Sequence, residues 1–126
     1  MLKITLSDGE WKLMNLLWEK EPMTILGMTE ALKPDTGWTK ATVNMMINRL
    51  AEKGAVRIDS SERTKRVFAL LGRDDAVRQE AKSTLERIKT GGLGLLISTM
   101  AQDCKLSDRE IEELARILKE GSKNRS

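Results

Sequence analysis

Hydrophobic residues recur every three or four positions along most of this chain and every second position in one short stretch. The first period is that of a helix face; the second is that of a half-buried strand. "SDGEWKLMNLLWEKE" carries Trp11, Met14, Leu17 and Trp18 on one stripe, broadened by Leu13 and Leu16. Ser7 followed by Glu10 forms a capping box, so a helix is predicted to start there, and Pro22 to end it. A shorter helix is predicted over "ILGMTEALK", capped by Thr24 and closed by Pro34, with Ile25, Met28, Ala31 and Leu32 facing inward. Met23, between the two, is placed to pair briefly as a strand, and "PDTG" reads as a turn. The third helix lies in "GWTKATVNMMINRLAEKGAV". Thr39 caps it, Val43, Met46, Ile47 and Leu50 form its buried stripe, and Gly54 is its left-handed stop.

The pattern then changes to period two. In "AVRIDSSERTKRVFALL", Val56 and Ile58 alternate with Arg57 and Asp59, and Val67 and Ala69 with Phe68 and Leu70. This predicts a hairpin with Arg63, Lys65 and Arg66 at a basic tip. Beyond Gly72, helical spacing returns in "RDDAVRQEAKSTLERIK", "GGLGLLISTMAQD" and "LSDREIEELARILKEG". The first of these starts at Asp74 or Asp75; the last has a capping box of Ser107 and Glu110, and the tail after Gly121 is expected to fray. The predicted fold is mainly α with a small β-hairpin, in two domains, 1–72 and 73–126.

Composition supports that picture and excludes most chemistry. The chain has 126 residues, 40% hydrophobic and 33% charged, with two prolines and no tyrosine. There is no histidine and one cysteine, Cys104, which removes His-based acid–base catalysis, a Cys-His dyad and any Cys/His zinc cluster. No carboxylate cluster has a recognisable metal spacing. We therefore expect no enzyme, no metal and no cofactor, and read Cys104 as a bystander thiol. No apolar run reaches the roughly 20 residues of a membrane span, and the first residues lack a secretory pattern. A cytoplasmic protein with no membrane insertion is the expectation.

Charge is unevenly spread. Residues 38–73 hold eight basic and three acidic side chains, whereas 1–37 hold four and six, and 74–126 ten of each. The positive field sits on the third helix and the hairpin, which suits a polyanion. Opposite the buried stripe, the third helix presents Ala41, Met45 and Asn48, flanked by Asn44, Thr42 and Arg49, with no carboxylate before Glu52. Amides and guanidinium groups read base edges in a major groove, and small apolar side chains pack on thymine methyls. The second and third helices then read as a helix-turn-helix with the hairpin as its wing. Lys40, Arg63, Lys65 and Arg66 are the candidate phosphate contacts. The residues alone leave a second reading open, a helical protein-interaction adaptor with a basic face and no sequence-specific DNA binding.

Two tryptophan-containing stretches carry a resemblance. Leu6, Ser7, Glu10, Trp11, Met14, Leu17 and Trp18, and then Trp38, Thr39, Thr42, Val43, Arg49, Leu50, Lys53 and Gly54, match the pattern of the penicillinase repressor family. These are bacterial repressors of β-lactamase and methicillin-resistance operons, with copper-responsive relatives. The C-terminal "LSDREIEELARIL" fits the family's last helix. The resemblance implies an N-terminal winged helix-turn-helix, a C-terminal three-helix dimerisation arm, and a homodimer that represses transcription from a two-fold symmetric DNA operator controlling a resistance or stress operon. It carries DNA-facing roles to Thr42 and Arg49, with Trp38 and Thr39 at the helix entry. The chain departs from many members at Ala41 and Asn44, where a basic residue is usual, and at Met45, where threonine is.

The arm follows the same logic. Three short helices in about 50 residues cannot cover all their apolar stripes by themselves, so a partner is expected. The usual symmetry of operator-binding helix-turn-helix proteins favours a second copy, the alternative being an arm folded back on residues 1–72. The expected dimer contacts are Ala81, Leu85, Ile88, Leu96, Ile97, Met100, Ile111, Leu114, Ile117 and Leu118. The resemblance also implies a membrane sensor protease acting on the arm. Its release site aligns with Thr99 and Met100, where antibiotic-responsive members carry Asn-Phe. The paired CxC motifs of the copper-responsive branch are missing.

Overall fold

The computed structural model describes residues 4–88, 91–103 and 106–123, apart from the side chains of Leu118 and residues 121–123. The elements run α1 (Asp8–Lys20), β1 (Met23–Thr24), α2 (Ile25–Thr36), α3 (Lys40–Lys53), β2 (Val56–Asp59), β3 (Arg66–Ala69), α4 (Arg73–Ile88), α5 (Leu93–Asp103) and α6 (Asp108–Lys123). They form two compact units, Met1–Lys82 and Ser83–Ser126. Cys104 and the side chain of Leu118 lie outside the described residues.

In the first unit, α1 opens as its sequence dictates. Ser7 Oγ accepts from the Glu10 N–H at 3.2 Å, and Glu10 Oε1 accepts from the Ser7 N–H at 2.8 Å. Such a cap stabilises a helix by about 1 kcal/mol. Leu13, Met14 and Leu17 are fully enclosed, while Trp11, Leu16 and Trp18 flank them half-buried. Trp11 and Trp18 meet edge to face at 6.0 Å, and Trp18 Nε1 donates to the Leu71 carbonyl at 2.9 Å, satisfying the indole N–H.

Pro34 does not close α2, contrary to the pattern. The helix runs through it to Thr36 and stops at Gly37, whose φ of 67° is left-handed. A proline near a helix end forfeits its own donor but leaves the turn after it intact. Here the Thr36 hydroxyl donates to the Leu32 carbonyl at 2.9 Å, and the Gly37 N–H to that of Lys33 at 2.9 Å. Ala31, expected inward, is exposed; Met28 and Thr29 are the buried positions, and Thr29 Oγ1 donates to the Ile25 carbonyl at 2.7 Å.

α3 is capped at both ends. Thr39 Oγ1 accepts from the Thr42 N–H at 3.2 Å. At the other end Gly54 (φ 86°) and Ala55 return their N–H groups to the Ala51 and Leu50 carbonyls, a Schellman arrangement. Val43, Ile47 and Leu50 have no exposed surface, and Met46 is half-buried.

The three strands pair antiparallel in the order β1-β3-β2. Val67, in the central strand, faces Met23 on one side and Ile58 on the other, and is fully buried. On the outer face the Arg57 guanidinium lies 4.4 Å from the centre of the Phe68 ring. Asp59 Oδ1 accepts from the Ser61 N–H at 2.9 Å and folds the start of the turn. Beyond the sheet, α4 closes on the same core. Ala76 is buried, and Gln79 Oε1 accepts from the Ile4 N–H at 3.1 Å.

A partly buried ion pair joins α1 to the end of α3. Lys53 Nζ, at the end of α3, lies 2.6 Å from Glu10 Oε1, whose side chain is 4% exposed. Burial pushes the Glu10 carboxyl up, but the bond from Lys53, the Ser7 N–H and the Lys53 charge together hold it below the ordinary glutamate value. The stability it contributes is fully present above about pH 5 and is lost as pH falls through the lowered value. Urea unfolding across that range should show a steeper loss for the natural chain than for Glu10→Gln; equal pH slopes would contradict this.

In the second unit, Ser107 and Glu110 cap α6 reciprocally, as their spacing predicts. The helix continues past Gly121 to Lys123, since a single glycine weakens a helix by about 1 kcal/mol without ending it. Among the described residues 83–117 no side chain is buried.

Candidate nucleic-acid interface

The outer face of α3 is open along its length. Ala41, Asn44, Met45, Asn48 and Arg49 are exposed, and Thr42 is half-buried at its edge. Met45 is a large apolar side chain left 57% exposed. Local bonds decide what each polar group has left to offer. The Thr39 hydroxyl donates to Thr42 Oγ1 at 3.1 Å besides accepting the cap bond, so its proton is used locally, whereas the Thr42 hydroxyl accepts there and keeps its own proton to donate. Asn48 Nδ2 donates to the Asn44 carbonyl at 2.9 Å, leaving its other amide proton and Oδ1.

A cleft of about 450 Å³ opens beside this face. Ile25 and Leu26, in the first turn of α2, line one side of it. Lys40 and Asn44 of α3 line another, and Arg63, Thr64 and Lys65 of the β2–β3 turn complete it. Three cations around one concavity, next to the first-turn amides of a helix, make a local positive field suited to an anionic backbone.

Two predicted site residues make contacts within the chain. Arg66 belongs to β3 rather than to the tip. It is half-buried, opposite Asp59 in the ladder, and its guanidinium lies 2.6 Å from Glu62 Oε2. Strand pairing with Thr24 on its other side fixes it there. Trp38 turns inward: it is half-buried against the core, and a methyl group on Gly9 would meet its ring at 3.2 Å. Its backbone N–H donates to Thr36 Oγ1 at 3.2 Å. Lys40, Arg63 and Lys65 are exposed.

Thr24, Leu26 and Thr64 also line the cleft and escaped the sequence reading. Leu26 did leave a signal: it is an apolar residue off the stripe of Ile25, Met28 and Leu32, and it is 50% exposed.

The positions expected at a dimer contact are open or half-open in the single chain. Leu85, Met100, Ile111 and Ile117 are 42%, 38%, 42% and 52% exposed. Ala81 is exposed, and Ile88, Leu96, Ile97 and Leu114 are half-buried. Thr99 and Met100 lie within α5, both exposed. Among the described residues no group of three or more Cys, Asp or Glu side chains is placed to hold a metal ion, and no helix is long and apolar enough to cross a membrane.

Comparison with known proteins agrees with this geometry. The chain is 26% identical over 113 residues to the methicillin resistance regulatory protein MecI of Mammaliicoccus sciuri, covering 90% of this chain and 92% of the relative. It is 28% identical over 120 residues to the penicillinase repressor of Bacillus licheniformis, covering 95% and 93%. The solution structure of the DNA-binding domain of the repressor BlaI superimposes with a TM-score of 0.53 at 22% identity, over 59% of this chain and 90% of that one, which establishes the winged-helix fold. The family model described as penicillinase repressor matches residues 6–120. The chain belongs to the penicillinase repressor family, a family of repressors and not of enzymes, and is a DNA-binding transcriptional repressor.

Proposed function

We propose that the protein acts as a homodimer on a two-fold symmetric operator, each subunit laying the outer face of α3 in a major groove. The observation that carries this is the strip of Ala41, Asn44, Met45, Asn48 and Arg49, exposed throughout and free of carboxylates, with a cation-walled cleft at its side. In this reading Arg49 and the two asparagines contact base edges, Thr42 donates to phosphate or base, and Ala41 and Met45 pack on thymine methyls. Lys40, Arg63 and Lys65 hold the phosphates passing the cleft, with Thr24, Leu26 and Thr64 beside them. Thr39 shapes the helix entry, Trp38 props it from within, and Arg66 stiffens the wing.

The apolar side chains left open on α4, α5 and α6 support a second copy as the covering partner. Residues 1–72 then read the duplex and 73–126 dimerise. The names of the relatives favour a resistance or stress operon as the target. Release by a membrane sensor protease cutting at Thr99–Met100, in a cytoplasmic protein, is the matching proposal for induction.

Paired substitutions test the base-reading role. Arg49→Ala should cost roughly 1–3 kcal/mol in discrimination between the preferred duplex and random duplex. Lys65→Ala should weaken both about equally. Anisotropy titrations on the two duplexes would separate these, and equal losses from both variants would count against base reading.

A further inference from the structure

The first described residues are tied down at successive positions. The Ile4 N–H donates to Gln79 Oε1 on α4 at 3.1 Å. The next residue, Thr5, accepts on its carbonyl from Lys53 Nζ at 2.9 Å, and Lys53 is the last residue of α3. Leu6 is then buried, and Ser7 caps α1. A single short segment therefore bridges the end of the helix bearing the outward strip and α4, within the first unit.

Lys53 is itself held tightly. Its ammonium serves Thr5 and Glu10 together, and Glu10 Oε1 receives both Lys53 and the Ser7 N–H. Glu10 Oε2 is buried and unpartnered among the described residues. Moving Lys53 away would leave this enclosed carboxylate short of its cation, which a protein interior tolerates poorly. The end of α3 is thus fixed by a charged knot as well as by apolar packing.

We propose that Ile4–Ser7 is a strap through which α4 sets the position of the strip on α3, with Gln79, Lys53 and Glu10 as positioning residues that do not touch the duplex. This rests on α3 being the helix that reads DNA. Base-edge bonds need placement to within about 0.5 Å, whereas phosphate contacts tolerate small shifts. Loosening the strap therefore costs discrimination and spares general affinity.

The test uses the full chain and a duplex that the natural protein enriches from a randomised pool. Gln79→Leu removes the acceptor without changing charge, and Gln79→Glu restores an acceptor. For Gln79→Leu the ratio of enriched to random duplex affinity should fall roughly three- to thirty-fold, with binding to random duplex unchanged. Amides of the last turn of α3 should exchange faster with solvent, and Gln79→Glu should recover both properties. Lys53→Met against Lys53→Arg gives a second pair with the same expected split. An unchanged ratio in Gln79→Leu and Lys53→Met, or equal losses on both duplexes, would overturn the strap while leaving DNA reading intact. If the natural chain enriches no sequence, the reading of α3 fails first and the strap with it.

Discussion

Raising the salt from about 50 to about 200 mM is expected to weaken duplex binding by roughly 10³–10⁵-fold. Lys40, Arg63 and Lys65 surround the cleft, so the proposed dimer would bring six cations to the phosphates. Arg66 is left out because it lies in β3 rather than at the cleft and is paired with Glu62 at 2.6 Å. Six contacts give a slope of about −5 in log affinity against log salt, toward the lower end of that range. Anisotropy titrations at several salt concentrations measure the slope directly. A slope near −1 would mean that the cleft does not face a polyanion. Lys65→Ala should make the slope shallower by about two in the dimer, since each subunit loses one contact.

Leu50→Ala is expected to destabilise the first unit by about 2–5 kcal/mol. The side chain has no exposed surface and lies on α3 directly under the outward strip. Its removal takes away burial and leaves a cavity that the surrounding helices can only partly close. Leu70→Ala, at a position 59% exposed, should change stability by less than about 0.5 kcal/mol and serves as the control. Urea unfolding distinguishes them through the midpoint, and similar midpoints for the two variants would contradict the described core. Loss of this leucine should also lower the fraction of chain able to bind DNA, because a domain of this size has only about 5–15 kcal/mol to lose.

What was legible in the sequence was local. Ser7 with Glu10, Thr24, Thr39 and Ser107 with Glu110 all cap helices as read, because a cap is a contact across three residues. The stripe of Val43, Ile47 and Leu50 and the alternation of Val56, Ile58 and Val67 likewise follow from backbone period. Local rules fail where the surroundings override them. Pro34 was read as a stop, but Thr36 and Gly37 supply the bonds that carry the helix past it. Arg66 was read as part of a basic tip, but ladder pairing on both sides makes it a strand residue.

The rest was hidden by distance along the chain. Glu10 announced itself as a capping residue, and nothing in its neighbourhood announced Lys53, which reaches it from the far end of α3. The contribution of α2 to the cleft was hidden similarly, since Leu26 meets Lys40 and Arg63 only once the wing has folded beside the helices. The outward face of α3 could be read because charge and size are properties of single residues. The partners of that face's support could not.

The most direct measurement is a hydroxyl-radical footprint of the full chain on the duplex it enriches, with the number of bound chains counted in the same complex. Two chains should protect two patches related by a dyad, their centres about 34 Å or a multiple of it apart. One chain on one patch, or protection indifferent to base sequence, would contradict the account.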